Sequence, residues 1–187
     1  MMRIITGTRR GVRLDSLPGD DTRPTSERVK EAIFSSLQFE LADRRVLDLF
    51  AGSGQMGLEA LSRGAATCMF VDASREAMTY IKKNAEKARF FDVSKFLVSD
   101  FRTYIGKANG EYDLVFIDPP YAMRAAGEAV RRLAEKKLLA KGALVVTESG
   151  DEDIFDGEMP KGFTVLKEAR YSISYVKILR YDGGDTP

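Results

Sequence analysis

Short apolar runs recur along the chain with helical segments between them, and this alternation constrains the fold more than any other feature. Arg45–Leu49, Thr67–Val71, Ser94–Val98, Asp113–Ile117 and Ala143–Thr147 are strand-like and rich in Val, Ile, Leu and Phe. Helical patterns occupy Gly57–Ser62 (ending at Gly64), a segment from a Ser74 cap towards Arg89, Phe101–Lys107 and Arg124–Leu139. Parallel neighbours need long crossover connections, so the alternation predicts a parallel sheet with helices on both faces. The chain ends differently. Phe163–Ala169 and Ser174–Tyr181 have no helix between them and should pair antiparallel at one end of the sheet. Ahead of the alternation, Met2–Ile5 and Gly11–Leu14 predict a β-hairpin, and Pro18, Gly19 and Pro24 a loop. Thr25 or Ser26 then caps a helix that carries Val29, Ile33 and Leu37 and ends near Ala42. Three parts result: a hairpin and loop over 1–24, an α/β domain over 25–182, and a loose tail over 183–187.

Composition narrows the chemistry. A chain of 187 residues suits one domain, which needs no disulfide or metal to hold its core. It has no histidine, which removes Ser-His and Cys-His triads and imidazole-ligated metals. Cys68 is its only cysteine, so neither an internal disulfide nor a multi-cysteine zinc site is expected, and a reducing, cytoplasmic setting is. Arg3, Arg9, Arg10 and Arg13 interrupt the N-terminal apolar stretches, so no secretory leader is expected. No run approaches the ~20 apolar residues that span a bilayer.

Gly52-Ser53-Gly54-Gln55-Met56-Gly57 lies between a predicted strand and a predicted helix, and Asp72 follows about twenty residues on. Such a loop lets the backbone approach a ligand and aims helix amides at it, while a carboxylate at Asp72 can hold ribose hydroxyls. Read alone, the pair suggests NAD. Asp48, in the strand that enters the loop, points elsewhere: an anion there would repel a pyrophosphate and favour a cofactor bearing an ammonium and a sulfonium. Asp100 and Phe101 follow the third strand, where a carboxylate and a ring could take an adenine; Asp100 equally suits a helix N-cap. Asp48, the glycine loop, Asp72 and Asp100 thus fall at successive strand ends.

Asp118-Pro119-Pro120-Tyr121 ends the next strand. Two prolines fix φ and stop the strand, leaving carbonyls aimed outward. An exocyclic base amine is a weak nucleophile because its lone pair is delocalised into the ring. Stiff acceptors, here the Asp118 carboxylate and the Pro119 carbonyl, can hold its N–H groups and turn the lone pair towards an electrophile, while Tyr121 stacks on a flipped base. Methyl transfer from a sulfonium then needs positioning and electrostatics, with no metal, histidine or cysteine.

These residues resemble the RsmD family. The resemblance rests on Asp48–Leu61, including Phe50-Ala51-Gly52-Ser53-Gly54, and on Gly57 to Ala65 beyond it. It also rests on the tetrad and on Arg23-Pro24-Thr25 followed by Arg28-Val29-Lys30-Glu31. It covers almost the whole chain. The tetrad is shared with many amino-methyltransferases, whereas the Arg23–Glu31 segment and the Phe50–Ala65 run select this family. The resemblance implies a class I S-adenosylmethionine-dependent methyltransferase fold, Rossmann-like, with a seven-stranded, mostly parallel sheet and an antiparallel last strand. It implies methylation of the guanine N2 in 16S ribosomal RNA at the nucleotide the family calls guanine-966, in the small subunit or an assembly intermediate. By that likeness Asp48 and Phe50–Gly54 hold the amino-acid part of S-adenosylmethionine, Asp72 its ribose, Asp100 and Phe101 its adenine, and Asp118–Tyr121 the target amine. Many relatives carry glutamate where Asp72 stands. The resemblance also implies that Arg23 and Thr25 border the catalytic pocket, without fixing their roles.

The net charge of +1 does not mark a nucleic-acid binder, but Arg3, Arg9, Arg10 and Arg13 precede the first acidic residue, Asp15, and form a basic arm. Beside the implied site, the arm is expected to grip RNA phosphates. A monomer is expected, with no membrane partner and no metal. Three other readings compete. An adenine-N6 DNA methyltransferase would use the same tetrad but needs a target-recognition region for which this chain has little room. A silent RNA- or nucleoside-binding module would not need an intact tetrad. A dehydrogenase would need an acid–base group not found here.

Overall fold

The computed structural model describes residues 2–16 and 27–184. In chain order the elements are α1 (Glu27–Ser36), β1 (Arg45–Asp48), α2 (Gln55–Ser62), β2 (Thr67–Asp72), α3 (Arg75–Lys87), β3 (Ser94–Val98), α4 (Phe101–Lys107), β4 (Tyr112–Ile117), α5 (Ala126–Glu135), β5 (Leu139–Ser149), β6 (Phe163–Tyr171) and β7 (Ser174–Tyr181). The strands form a seven-stranded sheet ordered β3-β2-β1-β4-β5-β7-β6. Neighbours from β3 to β5 run parallel, whereas β7 inserts antiparallel between β5 and β6. The order reverses at β1, which puts a crevice at the carboxyl ends of β1 and β4.

Strand pleating sorts the core into two layers. Val46, Phe70, Leu114, Phe116, Leu144 and Val146 face one cluster with Phe34 of α1, Leu58 of α2 and Ile81 of α3. Leu47, Val71, Val115, Ile117 and Val145 face the other, with Ile105 of α4 and Val130 of α5. Adjacent residues of β1, β4 and β5 are therefore buried on opposite sides, which explains their near-continuous apolar runs.

Several expectations need correction. The N-terminal hairpin forms but is short: one antiparallel bridge, Arg3 with Arg13, with Ile4 N–H donating to the Val12 carbonyl, Gly11 N–H to Ile4 and Leu14 N–H to Met2. It is also tied to α2: Ile5 N–H and Thr6 N–H donate to the Glu59 carboxylate, and Thr8 N–H to the Ser62 carbonyl. Helix α1 stops at Ser36 instead of near Ala42, where Ser36 Oγ turns back onto the Ala32 carbonyl and Glu40 N–H closes a turn onto Leu37. Its capping candidates Thr25 and Ser26, with Arg23, lie outside the described residues. Helix α5 is shorter than Arg124–Leu139, because Arg124 and Lys137 take positive φ (48° and 54°). Strand β5 is longer than Ala143–Thr147; Leu139 pairs with Tyr112, and Glu148 and Ser149 pair with Val176 and Tyr175. Among the described residues no helix is long and apolar enough to cross a membrane.

Candidate active site

The glycine loop is shaped by two close approaches. Gly54, the N-cap of α2, has φ 78°, and a Cβ there would come within 3.2 Å of Ile81. A Cβ on Gly57 would sit 2.4 Å from the Phe70 ring and 2.6 Å from Cys68 Sγ, so α2 lies directly on β2. This seats the first turn of α2 over the end of β1, where Gly57 N–H donates to Asp48 Oδ2 at 3.0 Å. Asp48 is buried, and burial pushes its carboxyl up to about 7, further raised by the nearby Asp72 and only partly offset by the Gly57 N–H.

Asp72 ends β2 and braces the loop, its Oδ2 accepting Gly52 N–H and its Oδ1 accepting Ser74 N–H, both at 2.8 Å. A carboxylate has about four acceptor sites, so these bonds leave it able to take hydroxyls. Buried Asn84 supports the loop from behind, donating to the Ser53 carbonyl and to Asp15. Asp100 is a helix N-cap: Oδ1 accepts from Arg102 N–H and Thr103 N–H at 3.0 and 3.1 Å. Hydrogen bonding from Thr103, by side chain and then backbone, holds that carboxyl below its usual range. Phe101 is buried, its centroid 5.2 Å from the Phe50 ring and 4.6 Å from the Arg102 guanidinium carbon.

At the tetrad, β4 ends at Ile117, Pro119 is buried, and Pro120 (φ −49°) leads into a single 3-10 turn, Tyr121–Met123. The Tyr121 ring lies against Gly150, where a Cβ would be 2.6 Å from Cδ2. Its hydroxyl hydrogen-bonds Ser174 Oγ and reaches Glu148 Oε1 at 3.4 Å, while Ser174 Oγ donates to the same oxygen at 2.8 Å. Glu148 and Ser174 are both buried.

A cavity of about 980 Å³ joins these features. Asp48, Phe50, Ala51, Gly52, Ser53, Asp72, Asp100, Phe101 and all four tetrad residues line it. Gly54 does not, and acts by setting the turn. Met2 reaches the cavity, but Arg3, Arg9, Arg10 and Arg13 stand outside it. Arg3 pairs with Glu27 at 3.2 Å, and Arg9 Nε is buried without a hydrogen-bond partner. Sequence reasoning missed Glu148, Ser174 and the β6–β7 turn around Ser172, which complete the wall beside Tyr121. Glu148 carried a usable signal, a carboxylate near the end of an apolar strand, like Asp48 and Asp72 before it. Among the described residues no group of histidine, cysteine or carboxylate side chains is placed to hold a metal.

A family model described as conserved hypothetical protein 95 matches residues 2–180. A Haemophilus influenzae protein named ribosomal RNA small subunit methyltransferase D is 33% identical over 171 residues, 89% of this chain and 87% of the relative. The chain belongs to the RsmD family. The Escherichia coli member named ribosomal RNA small subunit methyltransferase D is also 33% identical, over 81% of this chain and 76% of its own length. A solved Escherichia coli methyltransferase superposes with a TM-score of 0.87 at 27% identity, covering 98% of this chain and 99% of its own. An RNA methyltransferase from Salinibacter ruber, solved with S-adenosyl-L-homocysteine, shares the fold (TM-score 0.66, 17% identity, 88% of this chain and 97% of that one). This RsmD-family chain has the class I, Rossmann-like methyltransferase fold, with β7 as the antiparallel strand.

Proposed function

We propose that this protein transfers a methyl group from S-adenosylmethionine to the exocyclic N2 of a guanine in 16S ribosomal RNA, at the nucleotide its family calls guanine-966. The observation that carries the reading is one cavity holding a buried Asp48 at its glycine-loop end and the Asp118–Tyr121 tetrad in its wall. The residues fit the cofactor. Burial disfavours the Asp48 anion, and a ligand ammonium beside it would restore that anion, whereas a pyrophosphate would worsen its environment. The named substrates of the Haemophilus influenzae and Escherichia coli relatives support ribosomal RNA.

On this reading Asp48 and Phe50–Gly54 bind the amino-acid portion of the cofactor, Asp72 the ribose, and Asp100 and Phe101 the adenine edge. Phe101 offers an edge more than a face, because Phe50 and Arg102 already pack on it. When bound, S-adenosylmethionine supplies a methyl group activated by its sulfonium. Asp118 and the Pro119 carbonyl hold the N–H groups of the target amine, aiming its lone pair along the cavity. Transfer would leave S-adenosylhomocysteine and one surplus proton on N2, which would pass to solvent, directly or by way of the Asp118 carboxylate. Tyr121, braced by Ser174 and Gly150, is the surface against which the flipped base stacks.

The basic arm borders this site. Glu59 and Ser62 of α2 clamp it, and Met2 reaches the cavity. Arg3, Arg9, Arg10 and Arg13 therefore take RNA phosphates. The protein acts alone, in the cytoplasm, on the small subunit or an assembly intermediate. Incubation with methyl-labelled S-adenosylmethionine and, in parallel, 16S RNA, small-subunit particles and duplex DNA tests the reading. Label should enter RNA guanine; label confined to adenine or to DNA would sink it, and cofactor binding without transfer to any substrate would favour a silent module.

A further inference from the structure

The cavity wall beside the tetrad contains a carboxylate with no role in the scheme above. Residues Ile117 and Thr147 are register partners in parallel β4 and β5, so Asp118 and Glu148, each one residue further on, end neighbouring strands. Strands lie about 4.8 Å apart, which sets these two residues side by side at the target end of the cavity, and both line it. Glu148 is 7% exposed and pinned: Ser174 Oγ donates to its Oε1 at 2.8 Å, and Tyr121 OH donates to Ser174 Oγ and lies 3.4 Å from the same carboxylate oxygen. Those bonds fix the carboxyl plane relative to the Tyr121 ring. A base stacked on that ring would present its edge to both acids.

From this placement we propose that Glu148 selects guanine by accepting its N1–H while Asp118 holds the adjacent N2 amine; the inference rests on the guanine reading above. On its Watson–Crick edge guanine carries neighbouring donors at N1 and N2. A carboxylate offers only acceptors, about four lone-pair sites in all, so Glu148 can receive N1–H while its Oε1 keeps Ser174. A base whose N1 is itself an acceptor would face Glu148 lone pair to lone pair, in a buried wall where an unmet polar group is costly. Ser174 and Tyr121 are then positioning residues, and they couple the β6–β7 turn to base choice.

The discriminating substrate is 2,6-diaminopurine, which keeps the 2-amino group but has N1 as an acceptor. Small-subunit particles carrying guanosine or 2,6-diaminopurine riboside at the target nucleotide are methylated by the full-length protein, and kcat/KM is compared. The wild type should prefer guanosine by on the order of 10²-fold, as expected when a buried acceptor loses its donor. In Glu148→Gln the amide oxygen stays with Ser174 and Tyr121 and the NH₂ faces the base. Guanosine transfer should fall, diaminopurine transfer should rise, and the preference should collapse or invert with cofactor affinity unchanged. Equal use of both bases by the wild type would overturn the inference without any variant. An unchanged preference in Glu148→Gln would overturn it too, assigning the selectivity to the O6 side and leaving the guanine reading intact. Failure of the wild type to methylate guanosine at all would overturn both.

Discussion

Replacing Asp48 by asparagine should stabilise the ligand-free protein at neutral pH while removing its cofactor binding. The free carboxyl sits near 3.8 and the buried one at about 7, so between these values the folded chain keeps a proton that the unfolded chain has lost. Fewer protons bound in the unfolded state means that stability falls as pH rises from about 4 to about 7 and levels off above. The shift of about three units corresponds to about 4 kcal/mol, an order-of-magnitude figure for a group buried this fully. Asparagine has nearly the same volume, its oxygen can still accept Gly57 N–H, and it does not ionise. Urea unfolding of both proteins from pH 4 to pH 8 isolates the effect, since every other titration cancels in the difference. The variant should match the wild type near pH 4 and exceed it by a few kcal/mol at pH 8. Parallel stability curves, or a variant less stable at pH 8, would refute the assignment of a buried, uncompensated acid. The same titration weakens the wild type's hold on a cationic cofactor about fivefold between pH 7 and pH 6, where the ligand's amino group stays protonated and only the ionised fraction of Asp48 is competent.

Other outcomes follow from the arm and the loop. Arg9→Ala with Arg10→Ala should weaken RNA binding and lower the slope of log affinity against log salt by up to about two, and an unchanged slope would return the arm to a structural role. Glu59→Ala removes the acceptor of Ile5 N–H and Thr6 N–H and leaves buried Lys30 and Arg63 without their carboxylate, so it should destabilise by about 3–5 kcal/mol. Hydrogen exchange at residues 4–14 should then rise first; uniform protection would show that Glu59 does not clamp the arm. Gly57→Ala drives a Cβ into Phe70 and Cys68 and should displace α2, measurable as lost thermal stability and weakened cofactor binding together.

Local chemistry made much of the fold readable. Ser94–Val98, Phe101–Lys107 and Ser174–Tyr181 have the bounds their sequence suggests, because short apolar runs, an Asp100 cap and a turn mark their ends. Strand-end carboxylates likewise revealed Asp48, Asp72 and Asp118 as neighbours in one cavity. What escaped depends on contacts distant in sequence. Glu148 acquires meaning only through Ser174 and Tyr121, which lie 26 and 27 residues away. The hairpin is held by Glu59 as well as by its own backbone bonds, which its alternating pattern cannot express. Helix α1 stops early because Ser36 bonds backwards and the chain must turn into β1, a tertiary demand that overrides its helical spacing.

The most direct test of the central claim is mass spectrometry of 16S ribosomal RNA from small-subunit particles methylated in vitro by the wild type and by Asp118→Ala. The wild type should add a single methyl group, as N2-methylguanosine at one nucleotide, and Asp118→Ala should add none while binding S-adenosylmethionine as tightly. Methylation at another atom or base, or undiminished transfer by Asp118→Ala, would contradict the account.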